Sequence, residues 1–184
     1  VYDDAVMLTA PGIVPIGATI NGGSNVNRSG IAALTVNFDK PATVGAATDL
    51  NLFNHTTGLP INLSNATLLN NGTTAVTWVL HDGPGGMTDV VLTDGRYTAE
   101  LPASATTPNL AQTHTFAFHK LTGDVSGDGT VSFTDYGVVQ ANFGASGSVF
   151  RAGDASGDGT VSFTDYGVVQ SNFGASLTAT TLDF

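Results

Sequence analysis

The chain has 184 residues, 41% of them hydrophobic, enough to build a core, and only 11% charged. Five Lys+Arg against fifteen Asp+Glu give a formal net charge of −10, which excludes the basic footprint of a nucleic-acid binder and docking on an anionic membrane surface. It contains no cysteine, so a disulfide framework, a zinc–thiolate site and a thiol nucleophile are excluded as well.

No apolar run approaches the roughly 18 residues of a membrane-spanning helix. The first residue is Val1 rather than a methionine, so the chain is expected to be a piece of something longer.

Residues 1–122 read as strands. Residues 31–38 (IAALTVNF) alternate, with Ala33, Thr35 and Asn37 against Leu34, Val36 and Phe38. Residues 50–53 and 75–80 read as further short strands, and Asn71-Gly72 is a hairpin signal because both residues tolerate positive φ. Asp82 to Gly86 is a break. Residues 90–92 and 96–101 flank Thr93-Asp94-Gly95, a second expected hairpin turn. Residues 113–120 (THTFAFHK) alternate with Phe116 and Phe118 on one face. About seven short strands without helical periodicity predict an antiparallel, immunoglobulin-like β-sandwich, with another small β-fold as the alternative.

Beyond it lies a duplication. Residues 123–146 read GDVSGDGTVSFTDYGVVQANFGAS and residues 153–176 read GDASGDGTVSFTDYGVVQSNFGAS; only Val125/Ala155 and Ala141/Ser171 differ. The charge changes at the same boundary. Residues 1–122 hold eight acids and four bases, whereas residues 123–184 hold seven acids and one base, Arg151. The expected organisation is a β domain over 1–122, a repeat domain over 123–176 and a tail over 177–184.

Each repeat opens with a twelve-residue acidic loop. In the first, oxygen-bearing residues fall at positions 1, 3, 5, 7 and 12: Asp124, Ser126, Asp128, Thr130 and Asp135. Gly129 stands at position 6, where a sharp turn lets the Thr130 carbonyl face an ion. The second loop supplies Asp154, Ser156, Asp158, Thr160 and Asp165 around Gly159. This is EF-hand spacing with Asp for Glu at the last position. A hard cation takes six to eight oxygens, and a chain wrapped around it presents alternate side chains inward. The pattern predicts two Ca²⁺ ions, each closed by Asp135 or Asp165. Ser132 and Ser162, at position 9, would act through water. Mg²⁺ fits less well because it wants a tighter octahedron; a metal-free Asp/Gly-rich turn is the plain alternative.

A helix follows each loop. At 100° per residue, Phe133, Tyr136, Val139 and Phe143 share one face, as do Phe163, Tyr166, Val169 and Phe173. The two faces are expected to pack on each other as core, with Gly144 and Gly174 as stops. A second face is small and uncharged: Thr134, Val138, Ala141 and Ala145, and in the copy Thr164, Val168, Ser171 and Ala175. It is expected either to meet another protein or to be covered by the β domain or the tail.

Neither loop is preceded by a helix, so these are half-hands. Residues from about Gly123 to Ala175 resemble a type I dockerin, two loop–helix calcium repeats joined by a short linker. The resemblance covers about a third of the chain. It implies a secreted or cell-surface bacterial docking module, calcium-dependent, with a cohesin-type domain as partner and a cellulosome-like setting of polysaccharide breakdown. A β-sandwich ahead of it resembles X-module–dockerin pairs, and the phrasing of the chain resembles C-terminal segments of planctomycete surface proteins. Position 3, usually Asn in the family, is Ser126 and Ser156 here. Of the hydroxyl pair common at positions 10 and 11, only Thr134 and Thr164 remain, beside Phe133 and Phe163. Basic residues often found further along correspond to Ala141 or Ser171 and Ala145 or Ala175.

No catalytic constellation is predicted. His114 and His119 are five apart on a strand and point to opposite faces. His81-Asp82 lacks a nucleophile to activate. Trp78 and Tyr97 are core candidates, or a sugar platform if the sandwich binds carbohydrate. A monomeric, non-enzymatic docking module is the expectation. The alternatives are a carbohydrate-binding sandwich carried on a dockerin and an intramolecular structural module docked on its own sandwich.

Overall fold

A computed structural model describes residues 12–23, 26–80 and 89–177. Its strands are β1 (Pro15–Ile20), β2 (Ala33–Val44), β3 (Asn51–Asn54), β4 (Leu59–Ile61), β5 (Thr67–Leu69), β6 (Thr73–Val79), β7 (Gly95–Leu101), β8 (Thr106–Thr107) and β9 (His114–Lys120). Its α-helices are α1 (Phe133–Ala141) and α2 (Phe163–Ser171). His81, Asp82 and the rest of the expected break lie outside the described residues, as does the tail beyond Leu177.

The strands form two antiparallel sheets. One has the order β1-β2-β6-β5, with β8 added to β2; the other has the order β4-β3-β7-β9. The alternation of β2 sends Leu34, Val36 and Phe38 into the core and leaves Ala33, Thr35 and Asn37 half-buried. One apolar cluster takes these together with Val76 and Trp78 of β6, Leu52 of β3 and Tyr97, Ala99 and Leu101 of β7, so it draws on both sheets. Burying each large side chain contributes about 1.5–3 kcal/mol. Trp78 is fully buried because its Nε1–H donates to the Ala47 carbonyl at 3.0 Å, which satisfies its one polar atom.

A hairpin does join β5 to β6 here, but through three residues rather than the expected pair: positive φ falls at Asn70 (55°) and Gly72 (87°), not at Asn71. The hairpin expected at Thr93-Asp94-Gly95 does not form. Residues 90–92 are irregular, although Val90 and Leu92 are buried. The reason lies in the sheet: β7 is already flanked by β3 and β9, which leaves it no free edge. Asp94 instead anchors the end of β9, accepting hydrogen bonds from Lys120 Nζ (2.6 Å), Thr122 Oγ1 (2.8 Å) and Thr122 N (3.0 Å).

The repeats form a second, smaller cluster of Leu121, Val125, Val131, Val139, Ala155, Val161 and Val169. Each loop is stitched to the far end of the other repeat: Val131 N donates to Ala175 O and Val161 N to Ala145 O, both at 2.8 Å.

The aromatic stripe departs from expectation. Its rings do meet across the two helices, with Phe133 on Phe173 at 4.9 Å, Phe143 on Phe163 at 5.0 Å and Tyr136 on Tyr166 at 5.9 Å. Yet Phe133 and Phe163 are each 79% exposed and Phe143 and Phe173 nearly half so. They form a surface cluster rather than core. Two nine-residue helices enclose little volume, and the valines of loops and helices fill it.

The β region and the repeats are in contact. The Phe150 ring lies between Gly30 of the β region and Gly157 of the second loop. A Cβ on either glycine would fall within 2.1–2.4 Å of the Phe150 Cζ. Gly30→Ala therefore must expel that ring, and overpacking of this kind costs about 1–3 kcal/mol. Gly17→Ala, where a Cβ meets nothing within 4 Å, is the control. Thermal melts should show a clear drop for Gly30→Ala and little change for Gly17→Ala; equal shifts would mean that the Phe150 seat is soft.

Candidate metal loops and helix faces

Gly129 and Gly159 adopt φ 83° and 85°, a left-handed conformation that glycine reaches without Cβ strain. The turn folds loop N–H groups back onto the first aspartate. Asp124 Oδ1 accepts from Gly127 N at 2.6 Å and Asp128 N at 3.1 Å, and Oδ2 from Gly129 N at 2.9 Å. Ser126 Oγ sits 3.3 Å from Asp124 Oδ1. Asp135 closes the ring with both oxygens: Oδ1 accepts from Ser126 N at 2.9 Å and Oδ2 from Ser132 N at 2.8 Å. The second bond also makes Asp135 the partner of Ser132 in a capping box that starts α1. One carboxylate thus closes the loop and starts the helix. The second loop repeats this with Asp154, Ser156 and Asp165, where Ser156 N and Ser162 N donate to Asp165 at 2.9 and 2.8 Å.

Asp124, Asp135, Asp154 and Asp165 all have zero exposure. A buried carboxylate is costly unless hydrogen-bonded and matched by positive charge. The described residues around the second loop place no histidine beside Asp154. Burial pushes its carboxyl above the usual range despite N–H bonds from Gly157, Gly159 and Phe150. The first loop differs. Burial pushes Asp124 up too, but the hydrogen bond from His119 and those from Gly129 and Gly127 outweigh it and hold the group below its ordinary value. The His119 Nε2 to Asp124 Oδ2 distance is 2.9 Å. His119 is on the outward face of β9, opposite His114, where the first loop folds back.

The donor set is all oxygen, with buried, convergent carboxylates and a serine hydroxyl, which suits a hard cation. Asp124, Ser126 and Asp135 converge, as do Asp154, Ser156 and Asp165. Asp128 and Asp158 are turned onto their own turns: each Oδ1 accepts from the N–H (2.8 Å) and the hydroxyl (2.7 Å) of Thr130 or Thr160. Among the described residues, no three Asp, Glu, His or Cys side chains close into a metal cage. These two exposed aspartates have to swing inward for a full oxygen shell.

The small helix face divides. Thr134, Ala141, Thr164 and Ser171 are exposed, while Val138, Ala145, Val168 and Ala175 are half-buried against the repeat core. The β region packs on the loops, so the outer faces of the two helices stay exposed to the same degree in both copies. Trp78 and Tyr97 are fully buried and form no sugar platform. Among the described residues, Phe53 is the one exposed large aromatic of the β region.

Residues 122–174 match the family profile of the Dockerin type I domain. Dockerin type I domains bind calcium and dock on cohesin domains. No curated protein matches the chain. No helix among the described residues is long and apolar enough to cross a membrane.

The contact residues of the β region were not legible in the sequence. The strand alternation puts His119 on the face opposite His114 but names no partner for it. Asn27 and Ser29 stand in a short segment with no periodic signal, and only the tertiary fold brings them against the dockerin loops.

Proposed function

We infer that this chain is a non-catalytic, calcium-dependent docking module of a secreted or cell-surface bacterial protein. In this reading the dockerin region binds a cohesin-type partner through its helices, and the β region serves as a spacer that grips the loops. The carrying observation is that the dockerin match coincides with two loop–helix units whose buried carboxylates Asp135, Asp154 and Asp165 pair with no Lys, Arg or His among the described residues. A Ca²⁺ ion in each loop supplies the positive charge. Asp124, Ser126 and Asp135, and their copies, hold it, with Asp128 and Asp158 turning in and the carbonyls of Thr130 and Thr160 completing the set.

The β region supports an immunoglobulin-like reading. Its sheet orders β1-β2-β6-β5 and β4-β3-β7-β9 follow the A-B-E-D and C′-C-F-G arrangement of such sandwiches. Tyr97, near the start of β7, donates its hydroxyl to the Thr93 carbonyl four residues upstream, as a tyrosine corner does.

The equal exposure of the two helix faces supports docking in two orientations related by the repeat. The test uses exposed positions, because a charge at half-buried Val138 or Val168 would disturb the core. Thr134→Asp and Thr164→Asp are made singly and together and titrated against a cohesin domain in calcium and in chelator. Each single variant should retain binding within a few-fold, and the double variant should lose it. Loss from one single variant alone would show that a single face docks. Binding that survives chelator would overturn the calcium dependence.

A further inference from the structure

Residues 27–29 belong to the β region but to neither sheet, and they lie between the first turns of the two dockerin loops. Arg28 N donates to the Asp124 carbonyl and Leu121 N donates to the Arg28 carbonyl, both at 2.8 Å. Asn27 Nδ2 donates to the carbonyls of Asp154 at 2.7 Å and Arg151 at 2.9 Å. Its Oδ1 accepts from Ser29 N at 2.8 Å. Ser29 Oγ donates to Ala155 O at 2.6 Å and accepts from Gly123 N at 2.9 Å. The main-chain carbonyls of the two position-1 residues, Asp124 and Asp154, are therefore held by neighbouring residues of one segment.

Asn27 has zero exposure and Ser29 is 3% exposed. A buried carboxamide is costly unless its donors and acceptor are all used, and those of Asn27 are. An apolar side chain could fill the space but could not hold two carbonyls at once. Hydrogen bonds from this segment reach the loops and their leading residues.

We propose that Asn27 and Ser29 are positioning residues for calcium, holding the starts of both loops in place and linking the filling of one loop to the filling of the other. The proposal rests on the calcium reading above. Asp124 and Asp154 can aim a carboxylate at an ion only if their own backbone is fixed, and here the atoms that hold their carbonyls lie outside the dockerin region. Ordering one loop orders the shared segment, so the second loop has less freedom left to lose, which is positive coupling. Residues that orient metal ligands typically change affinity about 10–100-fold when removed.

The experiment is a calcium titration of the full chain, read by the amide NMR signals of Gly129 for the first loop and Gly159 for the second. The Asn27→Ala/Ser29→Ala variant should raise the half-saturation concentration of both loops by about tenfold or more, and Ser29→Ala alone should shift it less in the same direction. In chelator the variant should melt at the wild-type temperature, since the segment then has no ordered loops to hold. The link is tested with Asp165→Asn: it should weaken the first loop several-fold in the wild-type background and not further in the double-alanine background. Unchanged calcium affinity, a melting drop in chelator as large as in calcium, or equal weakening in both backgrounds would overturn the proposal. A wild-type chain that takes up no calcium would overturn the calcium reading beneath it.

Discussion

Excess EGTA should abolish the helical signal of α1 and α2 and leave the two sheets folded. Among the described residues, the dockerin core has seven buried apolar residues, against twenty in the β region. A domain of roughly 50 residues buries too small a share of its surface to be comfortable without a metal or another staple. Without the ion, the six loop aspartates carry −6 in formal charge, four of them buried side chains. With two Ca²⁺ ions the sum is −2. Calcium binding then becomes folding free energy for this region alone. Far-UV circular dichroism should lose its helical component on chelation and regain it with calcium. Amide NMR signals of residues 133–141 and 163–171 should collapse while those of β2, β6 and β7 persist. Helix signals that survive chelator would show that the valine core suffices.

Asp135→Ala and Asp165→Ala should each cost their site, whereas Ser126→Ala and Ser156→Ala should only weaken it. Asp135 has zero exposure and accepts from two backbone N–H groups, those of Ser126 and Ser132. Its removal strands two donors, at about 1–3 kcal/mol each when buried, opens the capping box, at about 0.5–2 kcal/mol, and takes away the carboxylate that closes the loop. Ser126 adds one hydroxyl, whose place water can take. Calorimetric titration should show one site lost in each Asp variant, with the helix behind it unfolding at lower temperature, and a several-fold weakening in each Ser variant. Equal losses from Ser and Asp would mean that closure at position 12 is not the strong contact.

Where the pattern repeats over a few residues, the sequence was readable. The even spacing of residues 31–38 became β2 with its buried Leu34, Val36 and Phe38. The loop spacing, the glycines at position 6 and the helices beginning at Phe133 and Phe163 all fell where the duplication put them. Edge strands β1, β4, β5 and β8 were missed: the last three are two or three mostly exposed residues with no period to read, and β1 is mostly half-buried on both faces, so its side chains do not alternate. Residues 90–92 failed in another way. The apolar run Val90-Val91-Leu92 buries its first and last side chains and leaves Val91 73% exposed, but a strand also needs an open neighbour, and β7 had none.

Two properties were decided only in three dimensions. Periodicity says that Phe133, Tyr136 and Phe143 share a face. It does not say whether that face is covered, and the two short helices pair their phenylalanine rings edge to face at the surface while the valines take the interior. The grip of the β region on the dockerin loops is the other. His119 meets Asp124 only because β9 ends just before the first loop turns back over its outer face. Asn27 reaches Asp154 across 127 positions of chain. Local sequence encodes backbone geometry and ligand spacing, because both depend on residues a few positions apart. Contacts between segments so distant depend on how the sheets close and where they leave an edge, and no window of sequence contains that.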